Sequence, residues 1–107
     1  MRFALTQMDI TWENPVENRR LCTELTEQAA TQGCDWIIFP EMTLTGFTMR
    51  PELFAEPEGV DSSTADFFCG LSHRLSIGII YGYIAAHDQD YTNRLVYVRD
   101  GMILQEY

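Results

Sequence analysis

The sequence predicts an α/β fold in which a parallel sheet is followed by an antiparallel edge, in the order β-α-β-α-β-β-β. Trp36-Ile37-Ile38-Phe39 is an apolar run stopped by Pro40, the pattern of a strand buried on both faces of a helix-covered sheet. A well-signed helix separates it from an earlier strand, and strand, helix, strand with short connections makes a parallel βαβ unit with a right-handed crossover. Asp100-Gly101 lies between two further strand-like stretches, a two-residue hairpin signal that closes the sheet antiparallel.

Taken in order, Arg2 to Asp9 alternates and reads as the first strand, with Phe3 and Leu5 on its buried face. Periodicity lapses over residues 10–13. Asn14 can then cap a helix, Pro15 suits its first position, and Glu17 stands in capping-box register. Leu21, Leu25 and Ala29, with Cys22 beside them, form the stripe that faces the sheet, and Gly33 supplies the left-handed exit. The central strand follows and leaves the sheet at Pro40, which cannot donate a ladder hydrogen bond.

Met42 to Val60 holds two prolines and two glycines and reads as a site-forming loop with one helical turn over residues 51–55. Its apolar residues Phe47, Met49, Leu53 and Phe54 suit either a cluster that pins the loop or the lining of a pocket. Asp61-Ser62-Ser63 offers cap oxygens for a second helix through Leu75, with Phe67, Phe68, Leu71 and Leu75 as its stripe. Residues 77–86 are a third strand, in which Gly82 marks a bulge or a close backbone approach. After a turn over residues 87–90, residues 92–99 and 102–107 pair across Asp100-Gly101.

The proline stop gives Glu41 its interest. Open α/β sheets place their sites beyond the carboxyl ends of the strands, and Glu41 is the first residue there able to do chemistry. An acid in that place is otherwise a solvated loop residue. With apolar residues before it, its carboxylate is expected to be partly desolvated in a completed chain.

Composition narrows the function. The chain has 107 residues, 46% of them hydrophobic, enough for one small globular domain. Seven basic against 16 acidic residues give a net charge of −9, which opposes binding to phosphate backbones, so no nucleic acid partner is expected. No apolar stretch approaches the ~20 residues of a membrane helix, and the start lacks the pattern of a signal peptide. Cys22, Cys34 and Cys69 are odd in number and unpaired in spacing, as suits reduced thiols and a cytoplasmic location. Cys69 and His73 have helical ligand spacing but no third ligand, so no metal is expected. No glycine-rich phosphate loop or nucleophile elbow is present. All seven basic residues are arginines, and there is no lysine.

The stretch Ile37-Ile38-Phe39-Pro40-Glu41-Met42, with Gly46-Phe47 downstream, resembles the first catalytic motif of the nitrilase superfamily, the carbon-nitrogen hydrolases. The likeness extends to a first strand ending in Gln7, a helix carrying Asn18, a strand containing Asn93 and the Asp-Gly hairpin. It implies that residues 1–107 are the N-terminal portion of an αββα sandwich and that Glu41 is the general base of a glutamate-lysine-cysteine triad. It also implies a small-molecule amide as partner, no cofactor, and a homo-oligomer in the full-length protein. Only the glutamate of the triad maps onto this sequence, so the 107 residues alone are expected to be inactive, as part of a longer protein or an inactive remnant. The wording Pro-Glu-Met with Gly-Phe-Thr-Met most resembles the ω-amidase branch, which acts on terminal amides of dicarboxylates. Phe47 and Arg50 are the weaker substrate-binding candidates, Arg50 because it is the nearest cation in the loop. The alternative from another class is an α/β interaction module in which Glu41 is only an exposed acid. A lysine shortly after Tyr107 and a later strand-turn cysteine would select the hydrolase.

Overall fold

The computed structural model describes all 107 residues. Strand β1 (Phe3–Leu5), helix α1 (Pro15–Thr31) and strand β2 (Trp36–Ile38) open the chain. A 3-10 turn at Pro51–Leu53, the two-residue strand β3 (Glu56–Pro57) and a second 3-10 turn at Gly59–Asp61 lead to helix α2 (Ser63–Leu75). Strands β4 (Gly78–His87), β5 (Asp90–Arg99) and β6 (Met102–Glu106) complete it. The sheet order is β1-β2-β4-β5-β6, with β1, β2 and β4 parallel and β5 and β6 antiparallel. The expected α/β order is therefore present, with one addition. Strand β3 lies parallel to β4 at Ala85 and Ala86, and two residues are too short to leave a period-2 signal.

Both helices start where their caps direct. Asn14 Oδ1 accepts from the Glu17 N–H at 3.2 Å, but Glu17 turns to Arg20 rather than back to the cap, so only half of the capping box forms. Ser62 caps α2 by accepting from Ala65 N–H. Glu56 adds a carboxylate there, accepting from Thr64 N–H at 2.7 Å and from the hydroxyls of Ser62, Ser63 and Thr64. At the β5–β6 hairpin both turn residues have positive φ, 53° at Asp100 and 80° at Gly101, as a primed turn requires.

Both helices cover one face of the sheet, where Ile37, Ile79, Tyr81, Val96 and Val98 meet Cys22, Ala29, Phe68 and Leu71. Phe68 stacks on Tyr81 with ring centroids 4.2 Å apart. This one-sidedness corrects two expectations. Ala4, not Phe3 or Leu5, packs toward the core from β1, and Phe3 and Leu5 are exposed; a small side chain beneath α1 lets helix and sheet approach. Strand β2 buries Ile37 fully, while Trp36 and Ile38 are half-buried on the other face.

The stripe of α1 also differs from the apolar reading. Its buried residues are Asn18, Cys22, Thr26 and Ala29. Cys22 and Ala29 of the expected stripe are among them, Leu25 packs against the core partly buried, and Leu21 alone of the four flanks it. Two polar residues can occupy the stripe because each is satisfied: Thr26 Oγ1 donates to Cys22 C=O, and Asn18 bonds to two loops.

Candidate active site

The site begins where the β2 ladder fails. Phe39 N–H still donates to Ile80 C=O on the β4 side at 2.8 Å, while even-numbered residues face β1, as Trp36 N–H does toward Arg2 C=O, so the N–H that Pro40 lacks is lost to the β1 side. Toward β4, Thr43 takes the rung at Gly82 that residue 41 would hold in a continued ladder. Its N–H donates to Gly82 C=O, its Oγ1 accepts from Gly82 N–H, both at 3.1 Å, and the same hydroxyl donates to Pro40 C=O at 2.6 Å. The three residues Pro40-Glu41-Met42 are thus looped out between two anchored points. Met42 adopts a left-handed φ of 47°, a conformation that costs a non-glycine residue on the order of 1 kcal/mol or more.

Gly82 makes this loop possible. A Cβ there would lie 2.9 Å from Met42 N and 3.1 Å from Glu41 Cα, so the loop rests directly on the β4 backbone. The glycine thus marks a close backbone approach, one of the two readings its place in the strand allowed. Because side chains alternate along a strand, Gly82 and Ile84 share the face opposite Tyr81 and Tyr83, and their partners Leu95 and Asn93 share it too. Glu41 therefore lies over the sheet face that the helices leave uncovered. Its carboxylate is exposed, and its Oε2 accepts from Asn93 Nδ2 at 3.2 Å. A cavity of about 250 Å³ is bounded by its neighbours Met42 and Asn93 together with Thr48, Pro51, Ile84 and Tyr91, while Glu41 itself is not in the lining. A second cavity, of about 260 Å³, lies on the far side of Met42 and Ile84, toward Arg19 and Glu56.

Residues 10–14 hold the loop from its other side. The fully buried Asn18 accepts from Thr11 N–H at 2.8 Å and donates to Thr11 C=O and Leu44 C=O, each at 2.7 Å. Glu13 N–H donates to Thr45 C=O at 2.7 Å, and Trp12 Nε1 donates to Phe47 C=O at 2.6 Å. The Glu13 side chain accepts from Thr48 Oγ1 and pairs with the Arg50 guanidinium. Hydrogen bonds from Arg50, and then from Thr48, hold the Glu13 carboxyl below the usual carboxylate range.

Of the substrate-binding candidates, Arg50 has its guanidinium engaged by Glu13, and the Phe47 side chain is 70% exposed at the loop tip. Neither lines the cavity beside Asn93. Burial pushes the Cys22 thiol up to about 12 and raises that of Cys69 as well, so both are poor nucleophiles. Thr43, Asn18 and Glu13 carry the geometry of the loop. Residue patterns give no reason to assign this work to Thr43 or Glu13, while Asn18 is marked by the family resemblance and Gly82 by its place inside a strand.

A family model described as carbon-nitrogen hydrolase matches residues 2–107. No match was found among curated proteins. Among solved structures, the chain is similar to XC1258 from Xanthomonas campestris, described as a CN-hydrolase superfamily protein with an arsenic adduct in its active site. The two share 28% identity with a TM-score of 0.86, over 100% of this chain and 39% of that one. It is also similar to an amidase from Nesterenkonia sp., at 19% identity and TM-score 0.87, over 100% of this chain and 41% of that one. A double mutant of the amidase from Nesterenkonia sp. AN1 in complex with acrylamide gives the same TM-score over 42% of its length. The chain thus spans about two fifths of the structures it resembles, all of it within the nitrilase fold. With its glutamate set on the β4 backbone at the end of β2 and the family pattern matched from residue 2 to residue 107, the chain belongs to the carbon-nitrogen hydrolase family.

Proposed function

We propose that the protein carrying this chain hydrolyses the carbon-nitrogen bond of small amides and releases ammonia, with Glu41 as general base. The observation that carries the reading is the mounting of Glu41: an exposed carboxylate at the end of β2, on a looped-out segment fixed by Thr43 and Gly82, beside a cavity. In this mechanism Glu41 takes the proton of a cysteine thiol as the sulfur attacks the amide carbon. The protonated Glu41 gives that proton to the amide nitrogen as the C–N bond breaks and ammonia leaves; the regenerated carboxylate then draws a proton from the water that opens the thioester and returns it to the departing cysteine sulfur. A lysine stabilises the oxyanion. The 107 residues contain no lysine, so that group must come from elsewhere in the full-length protein, and these residues alone are proposed to be inactive. Strand β6 runs back along β5 with Tyr107 opposite Leu95.

The finer proposal is an ω-amide of a dicarboxylate as substrate, resting on the wording of residues 40–49. Arg50 is the nearest cation in the loop, and to take a second carboxylate it would have to leave its pairing with Glu13. The test of the base is Glu41→Gln in the full-length protein, assayed by ammonia release. A positioned base contributes about 10²–10⁴-fold, so kcat should fall by that factor with an unchanged circular dichroism spectrum. Near-normal turnover by the variant would remove Glu41 from the mechanism. Glu52→Gln, in the exposed part of the loop, should leave the rate unchanged.

A further inference from the structure

We infer that Asn93 is the positioning residue for Glu41, holding its carboxylate by Oε2 and leaving Oε1 unbonded to take the proton. The inference rests on Glu41 acting as base and adds the group that aims it. Asn93 sits on β5 opposite Ile84, one pair beyond Tyr83–Arg94. That register puts it on the uncovered face with Gly82, where Glu41 lies. Its Nδ2 donates to Glu41 Oε2 at 3.2 Å, the one side-chain hydrogen bond Glu41 makes.

The charged neighbours are committed elsewhere. On β5, Arg94 points to the helix face, toward Glu58 and Glu106. In the loop, Arg50 is held by Glu13. On β4, Gly82 contributes only backbone against Glu41. A glutamate side chain has several rotamers of similar energy, and fixing one has an entropic cost. A hydrogen bond to its ionised form offsets that cost and names which oxygen is occupied. Oε1 carries no hydrogen bond from the protein, and Asn93 and Met42 both border a cavity. Backbone placement comes from Thr43 and Gly82, and carboxylate placement comes from Asn93. These are separate functions on separate strands, so they can be broken separately.

The experiment uses the full-length protein with Asn93→Ala, Asn93→Ser and Asn93→Asp, each alone and in the Glu41→Gln background, and reads kcat, KM and the pH profile of kcat/KM. Asn93 is exposed, so folding should survive, and Asn93→Ser keeps a short donor in case the alanine variant does not fold. The alanine and aspartate variants should lose about 10–100-fold in kcat, the scale of a misaimed catalytic group, with KM within about threefold. Asn93→Asp keeps the shape but sets a like charge against Glu41, which should move the acidic limb of the profile to higher pH. With Glu41→Gln already present, Asn93→Ala should cost nothing further. If Glu41→Gln is inactive while the Asn93 variants keep kcat and pH profile, this inference fails and the base assignment stands. If Glu41→Gln itself is active, the base assignment fails first. A loss confined to KM, or one that is fully additive with Glu41→Gln, would also overturn the inference.

Discussion

Gly82→Ala is the substitution that most directly tests how the fold holds its candidate base. The added Cβ would lie 2.9 Å from Met42 N and 3.1 Å from Glu41 Cα, both of them backbone atoms that cannot rotate away. Ordinary contact begins near 3.4 Å, so the loop must lift by several tenths of an ångström. That strains the two Thr43 bonds to Gly82. Overpacking of this kind costs about 1–3 kcal/mol. A catalytic group displaced by 1 Å can lose about 10²-fold in rate, and roughly half that shift should cost about 10-fold. The control is Gly70→Ala in α2, where a Cβ meets nothing within 4 Å. Replacing a helix-interior glycine should stabilise the protein by about 0.5–1 kcal/mol. Both variants would be made in the full-length protein, with stability read by urea denaturation and turnover by ammonia release. The reasoning is refuted if Gly82→Ala keeps kcat within about twofold of the parent, or if the two alanine substitutions change stability by the same amount.

Two further outcomes follow from the buried polar groups. Asn18→Ala removes the partner of Thr11 N–H and of the Thr11 and Leu44 carbonyls, and should cost about 2–3 kcal/mol. A urea midpoint shift equivalent to less than about 0.5 kcal/mol would show that water replaces the side chain. Glu56 should produce an acid-dependent loss of stability. Burial raises its carboxyl, but hydrogen bonds from Thr64, Ser62 and Ser63 outweigh this and hold it below the ordinary 4.5. A depressed folded value gives stability that is complete above the unfolded value and is lost as pH falls through the folded one. The stability gap between the parent and Glu56→Gln should therefore be constant above pH 4.5 and shrink below it. A gap that is independent of pH would dismiss the cap carboxylate as the cause.

The helix starts, the central strand, its stop at Pro40 and the Asp100-Gly101 hairpin were legible in the sequence, because each depends on residues within a few positions of one another. A cap bonds three residues ahead, a strand alternates, and a turn takes the residues its φ values allow. The place of Glu41 followed from the same local rule, since a proline ends a ladder wherever it falls. What the tertiary structure decided lies across longer separations. Asn93 reaches Glu41 over 52 positions, Thr48 reaches Glu13 over 35, and Asn18 reaches Leu44 over 26. Hydrogen bonds between segments so far apart leave no periodicity in either one. For the same reason the apolar stripe of α1, whose Cys22, Leu25 and Ala29 do pack on the core, leaves out two buried members: Thr26 looks like a surface residue until its partner is known, and Asn18 is singled out only by the family resemblance. Which face of β1 is covered was likewise a matter of where α1 lies, and a strand's own alternation is satisfied by either answer.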